Sequence, residues 1–168
     1  MITTVIGDML ADRVGQEDVH ILVHGCNAQG HMRSGIAKIL RDKWSIVFDE
    51  YKAYEKEHGL PLGSISVVEV APNTFVVNAI TQQYYRGFQG DFYQFDNNRL
   101  YVDYDAIEAA FTAINKVFRD SPAHKAGNIT VNFPLIGCGL ANGEWDIVAE
   151  RIELSLDDTF KKVLWKLP

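Results

Sequence analysis

The chain has 168 residues, 47% hydrophobic and 23% charged, and 16 Lys and Arg against 22 Asp and Glu leave a net charge of -6. That composition predicts a single globular domain spanning 1–168 and excludes a disordered chain, while 13 Gly and 5 Pro exclude a collagen-like one. The acidic balance argues against a protein that holds a phosphate backbone by bulk positive charge, so no direct nucleic-acid binding is expected and any phosphate must be held locally.

The longest apolar runs, Val67-Val68 and Phe75-Val76-Val77, are too short to span a bilayer, and Met1-Ile2-Thr3-Thr4 lacks the basic start of a signal peptide. Cys26 and Cys138 make no disulfide framework, and no Cys/His spacing matches a zinc site. The expectation is a soluble, cytoplasmic protein in a reducing compartment, with no membrane partner, no metal and no cofactor.

Ile2 to Ile6 reads as a short strand, and Val19 to Val23 as a second, nearly all apolar as befits burial on both faces. Ser34-Gly35 precedes a helix whose apolar side runs from Ile36 to Trp44, and Ser45 to His58 continues the helical pattern until Gly59 and Pro61 stop it. Ser64 to Val70 and Thr74 to Ile80 form a hairpin around Ala71-Pro72-Asn73. Tyr104 to Arg119 carries the i, i+3, i+4, i+7 stripe of a helix, Asn128 to Phe133 alternates as a strand, Glu144 to Asp158 is helical and Phe160 to Leu167 is the last strand. Strands alternating with helices predict a three-layer α/β/α sandwich around a mixed, mostly parallel sheet. The segment from Thr81 to Asp103, rich in Tyr and Phe, reads as an Ω-like loop or a lid over a ligand.

In open α/β sheets the ligand sits beyond the carboxyl ends of the strands, which directs attention to the loops leaving Val23 and Phe133. The first is HGCNAQGHMRSGIA, running from His24 into a helix whose free amides make an anion seat. The second, NFPLIGCGLANGEW, is again Gly-rich between a strand and a helix, the composition from which successive amides form a phosphate nest. Together with Ile6-Gly7-Asp8, these two strings resemble the macro domain, the ADP-ribose-binding fold, along almost the whole chain. The closest likeness is to the branch that holds ADP-ribose 1''-phosphate phosphatases and terminal ADP-ribosyl-glutamate deglycosylases.

The resemblance implies ADP-ribose or ADP-ribose 1''-phosphate as ligand, with release of the terminal phosphate as the reaction. It places Asp8, with Met9 beside it, at the adenine, and Gly35, Ile36 and Ala37 in the first phosphate loop. Ile136, Gly137, Cys138, Gly139 and Leu140 fall in the second, Asn27 at the distal ribose, and Trp165 against the adenine or in the core. His24 and Asn27 are the residues expected to carry the chemistry, His24 because imidazole transfers protons near neutral pH. A buried, satisfied histidine is the competing reading of His24. His31, Arg33 and Arg86 are candidates for the terminal phosphate; Asp91, Asp103 and Asp105 are available carboxylates, although Asp103-Tyr104-Asp105 also reads as a helix cap with first-turn acids.

The deglycosylase branch has a lysine and an aspartate where this chain has Gln82 and Ala141, which removes the Schiff base and the proton carrier of that mechanism. Arg33-Ser34-Gly35 replaces the glycine triplet common in the first loop. A cysteine phosphatase is a competing enzyme class, because His24-Gly25-Cys26 through Arg33-Ser34-Gly35 nearly spells its loop, with one residue too many on each side of the cysteine. A non-catalytic ADP-ribose reader shares the same loops, whereas a dinucleotide dehydrogenase is disfavoured by the missing Gly-x-Gly-x-x-Gly.

Overall fold

The computed structural model describes residues 1–11, 17–33, 35–84, 99–139 and 141–168. Its strands are β1 (Ile2–Ile6), β2 (Val19–Asn27), β3 (Ile65–Ala71), β4 (Thr74–Gln82), β5 (Ile129–Phe133) and β6 (Lys161–Lys166). Its helices are α1 (Gly35–Lys43), α2 (Ser45–His58), α3 (Tyr104–Phe118), α4 (Pro122–Lys125) and α5 (Trp145–Ser155). One sheet has the order β1-β6-β5-β2-β4-β3, and only the β3–β4 hairpin is antiparallel. The expected mixed, mostly parallel sandwich is what forms.

Alternation along the central strands sorts side chains into two cores. Ile21, Val23, Val77, Ala79, Val131 and Phe133 pack with Ile107, Phe111 and Ile114 of α3 and Val148 and Ile152 of α5. Leu22, Cys26, Val76 and Ile80 face the other way, against Leu40 of α1 and Val47 and Tyr51 of α2. Phe111 meets Phe133 edge-on at 5.8 Å, a geometry worth about 1 kcal/mol beyond the area it buries.

Helix ends follow local chemistry. The carboxylate of Asp103 accepts from the Ala106 amide at 2.9 Å and starts α3, so the cap reading of this aspartate holds. Asp105 pairs with Arg151 of α5 at 2.7 Å. The short α4, which no periodicity in the sequence marks, is capped by Ser121 and carries Pro122 in its first turn.

The end of the second strand differs from expectation. Strand β2 does not stop at Val23; His24, Gly25 and Cys26 continue it, paired with Asn78, Ala79 and Ile80 of β4. Opposite the junction of Cys26 and Asn27 the register shifts, so that Asn27 pairs with Gln82 and Thr81 is the extra residue of a bulge.

Candidate functional site

Strands β2 and β5 are parallel neighbours at the centre of the sheet, and the chain leaves them in opposite directions. From β2 it passes to α1 on one face; from β5 it passes to α5 on the other. Their divergence opens a crevice beyond the strand ends, the place where open α/β sheets bind ligands.

Asn27 organises the first loop from within. Its side-chain oxygen accepts from the Gln29 and His31 amides at 3.1 and 3.2 Å, and its side-chain nitrogen donates to the His31 carbonyl at 2.9 Å. Tyr51 of α2 donates its hydroxyl to the Asn27 carbonyl at 2.5 Å and lies 3.2 Å from the side-chain oxygen. Met32, 1% exposed, pins the loop to the core before Arg33 emerges into solvent. Gly35 then opens α1 at φ +61°, and a side chain there would meet nothing. The amides of Gly35, Ile36 and Ala37 are first-turn donors, which have no partner within a helix.

The second loop is folded tightly on itself. The Ile136 amide donates to the Pro134 carbonyl at 2.7 Å, Cys138 to Leu135 at 3.2 Å, Asn142 to Gly139 at 3.1 Å and Gly143 to Gly137 at 2.6 Å. Gly137 has φ +72°, and a Cβ there would sit 2.5 Å from Val102, so only glycine fits. Gly139 faces open space, and among the described residues neither its amide nor that of Gly137 has an acceptor. Alternate unbonded donors in a compact turn are the makings of an anion nest. Leu140 lies outside the described residues, as do Arg86 and Asp91.

His24 is not at the strand end. It lies inside β2, fully buried on the α2 face, with Nε2 2.5 Å from the side-chain oxygen of Asn78, whose nitrogen donates to the Val47 carbonyl. An acceptor at Nε2 fixes the proton there, and burial lowers the imidazole to about 4, so it is neutral at pH 7. Buried and hydrogen-bonded, the ring has the surroundings of the satisfied core histidine that was the competing reading. Cys26 lies 3.6 Å from it, equally sealed, and burial pushes the thiol far above its usual range. Cys138 is raised to about 11, also by burial. Neither is a thiolate at neutral pH, which removes the basis for a cysteine phosphatase.

The remaining expected residues divide between wall and core. Ile136 is buried and comes close to Gly25, where a Cβ would meet Thr81 Oγ1 at 2.7 Å and Ile136 at 3.2 Å. Met9 and Trp165 are 5% and 6% exposed within the α1/α2-side core, and the Trp165 indole donates to Asn132 at 2.9 Å. The core half of the Trp165 expectation is therefore what is seen. Asp8 is exposed on a turn, its carboxylate accepting from the Leu10 amide at 2.9 Å. His31 is partly buried and lowered, first by that burial and then by Arg33 and Lys52, against the opposing pull of Glu55. Among the described residues no group of three His, Cys, Asp or Glu could hold a metal, and no helix is long and apolar enough to cross a membrane.

Sequence reasoning missed the support of the site. Tyr51 and Asn78 hold Asn27 and His24 from α2 and β4, and their places on buried faces were the only signal. Thr81 at the bulge carries the one buried side-chain polar atom with no hydrogen-bond partner among the described residues. Arg99 sits with its guanidinium 5.4 Å from the ring centres of both Tyr84 and Tyr101.

No family profile matches the chain. It is 27% identical over 155 residues to an ADP-ribose 1''-phosphate phosphatase of Scheffersomyces stipitis, an alignment that covers 87% of this chain and 90% of that protein. The fold is similar to that of a macrodomain protein from Streptomyces coelicolor, with a TM-score of 0.74 at 24% identity over 99% of both chains. It is also similar to Thermosipho africanus DarTG in complex with ADP-ribose, with a TM-score of 0.68 at 19% identity over 99% of this chain and 41% of that one.

Proposed function

Because the chain has the fold of macrodomain proteins, we propose that it is a macro domain that binds ADP-ribose in the crevice between β2 and β5 and hydrolyses ADP-ribose 1''-phosphate to ADP-ribose and phosphate. The observation that carries this reading is the pair of amides at Gly137 and Gly139 without an acceptor among the described residues, in the loop after β5, beside the loop from β2 into the first turn of α1. The α1 amides and the Gly137–Gly139 nest hold the diphosphate, and Asp8 and Met9 meet the adenine end. Asn27 keeps the first loop in shape for the distal ribose. With both thiols protonated, water attacks the terminal phosphorus; the bond from phosphorus to the 1''-oxygen breaks and that oxygen takes a proton as it leaves. His24 acts at one remove, as a neutral packing and positioning residue beneath Asn27.

The 27% identity to a phosphatase along nearly the full chain supports hydrolysis. A reader that binds without turnover is favoured by one observation, the enclosure of the histidine expected to move protons. In either case the protein works as one domain on a small molecule, in a reducing cytoplasm that suits two free cysteines. Phosphate release from ADP-ribose 1''-phosphate, measured beside calorimetry with ADP-ribose, separates the two. Binding with release is expected; binding alone would make it a reader, and neither would remove the functional reading while leaving the fold.

A further inference from the structure

We propose that Arg99, clamped between Tyr84 and Tyr101, is the residue that distinguishes a ligand ending in a phosphate monoester from one ending in a hydroxyl. This rests on the phosphatase reading above.

The first support is placement. The chain leaves β4 beside the first loop, where the Ala28 amide bonds to the Gln82 and Gln83 carbonyls at 2.8 and 3.2 Å, and Gln82 Nε2 holds the Tyr84 carbonyl at 2.7 Å. It returns beside the second loop, where the Asn142 side chain donates to the Arg99 carbonyl at 2.8 Å and the Tyr101 amide bonds to Ala141 at 2.9 Å. Tyr84 thus belongs to the β2 side of the crevice and Tyr101 to the β5 side. A guanidinium 5.4 Å from both ring centres joins the two sides at the strand ends.

The second support is charge. Lys38, Lys52, Arg151, Lys161 and Lys162 each have a carboxylate partner, whereas Arg99, like Arg33 of the first loop, has none among the described residues. A half-buried cation held, among the described residues, by aromatic faces keeps its N–H edges available for an oxyanion. On a chain of net charge -6 this matters, because the rest of the cradle is neutral backbone donors apart from the exposed Arg33 of the first loop. Such donors suffice for the shared diphosphate. A terminal monoester adds about -1.5 to -2 at pH 7 and three acceptor oxygens, which the Arg fork matches in a bidentate pair.

The test compares wild type, Arg99→Gln and Arg99→Lys by calorimetry with ADP-ribose and by steady-state phosphate release from ADP-ribose 1''-phosphate. Arg99→Gln should raise KM for the ester about tenfold or more while leaving Kd for ADP-ribose within about twofold, the signature of one lost charge-assisted contact. Arg99→Lys should recover part of the loss, supplying charge without the fork. An unchanged KM, or equal losses for both ligands, would overturn the proposal and leave Arg99 as a strut of the second loop. If the wild type binds ADP-ribose but releases no phosphate, the phosphatase reading fails by itself. Calorimetry with the intact ester then decides for or against Arg99 by the same two ratios.

Discussion

Gly137 and Gly139 are two residues apart in one loop, and the structure gives them opposite reasons to be glycine. At Gly137, φ +72° costs an L residue about 1–2 kcal/mol, and a Cβ 2.5 and 2.9 Å from two Val102 carbons adds overpacking of about 1–3 kcal/mol. Gly137→Ala should therefore destabilise the fold by about 2–5 kcal/mol, with Tm falling about 2–4 °C for each of those kcal/mol. At Gly139 there is no left-handed φ and no heavy atom within 4 Å of a Cβ, so Gly139→Ala should be neutral or stabilising by up to about 1 kcal/mol. The same methyl group projects into the space assigned to the diphosphate, and ADP-ribose affinity should fall about tenfold or more. Urea unfolding and calorimetry on both variants supply the four numbers. A Gly139→Ala protein that loses as much stability as Gly137→Ala, or that binds ADP-ribose as the wild type does, would refute the assignment of this gap to ligand.

The other expectations concern the support beneath the loops. His24 titrates near 6.5 in the unfolded chain and about 4 when folded, so the unfolded state takes up the proton first. Stability is therefore full above pH 6.5 and declines as pH falls towards 4, by on the order of 3 kcal/mol. Urea midpoints at pH 7 and 4.5 should show a smaller decline for His24→Gln, and parallel declines would place the uptake elsewhere. Tyr51→Phe, which removes the hydroxyl on Asn27, should cost about 1–2 kcal/mol, and less when added to Asn27→Ala than alone; strict additivity in that cycle would mean the two do not cooperate. Iodoacetamide at pH 8 should label Cys138 slowly, its thiol being raised to about 11, and Cys26 only on unfolding; rapid native labelling of Cys26 would contradict its burial.

Most of the fold was legible because its signals are local. The stripe of Ile107, Phe111 and Ile114, the stop at Gly59 and the turn at Asn73, with φ +55°, each declare themselves within a few residues. The two glycine loops were legible for the same reason. The role of His24 was not, because the apolar run ends at Val23 while the strand continues, sustained by β4 pairings more than fifty residues away. Trp165 illustrates the same limit: a Trp near a strand end is a ligand platform or a core residue depending on Asn132, a partner on another strand. Arg99 was overlooked because its meaning comes from Tyr84, across a segment with no periodicity to track.

The register shift at Cys26 and Asn27 has a bearing on how such a site can vary. In a regular pair of strands, side-chain direction at the tip is dictated by direction in the core, since both share one period of two. The additional residue at Thr81 breaks that linkage: Val77 and Ala79 keep their phase against α3, while Gln82, Gln83 and Tyr84 are set by a new count. Removing one residue there would re-aim the exit of β4 from Gln82 through Tyr84 while leaving the register of Val77 and Ala79 unchanged. The bulge is in effect a joint between a part that must pack and a part that can be retuned for a different ligand end.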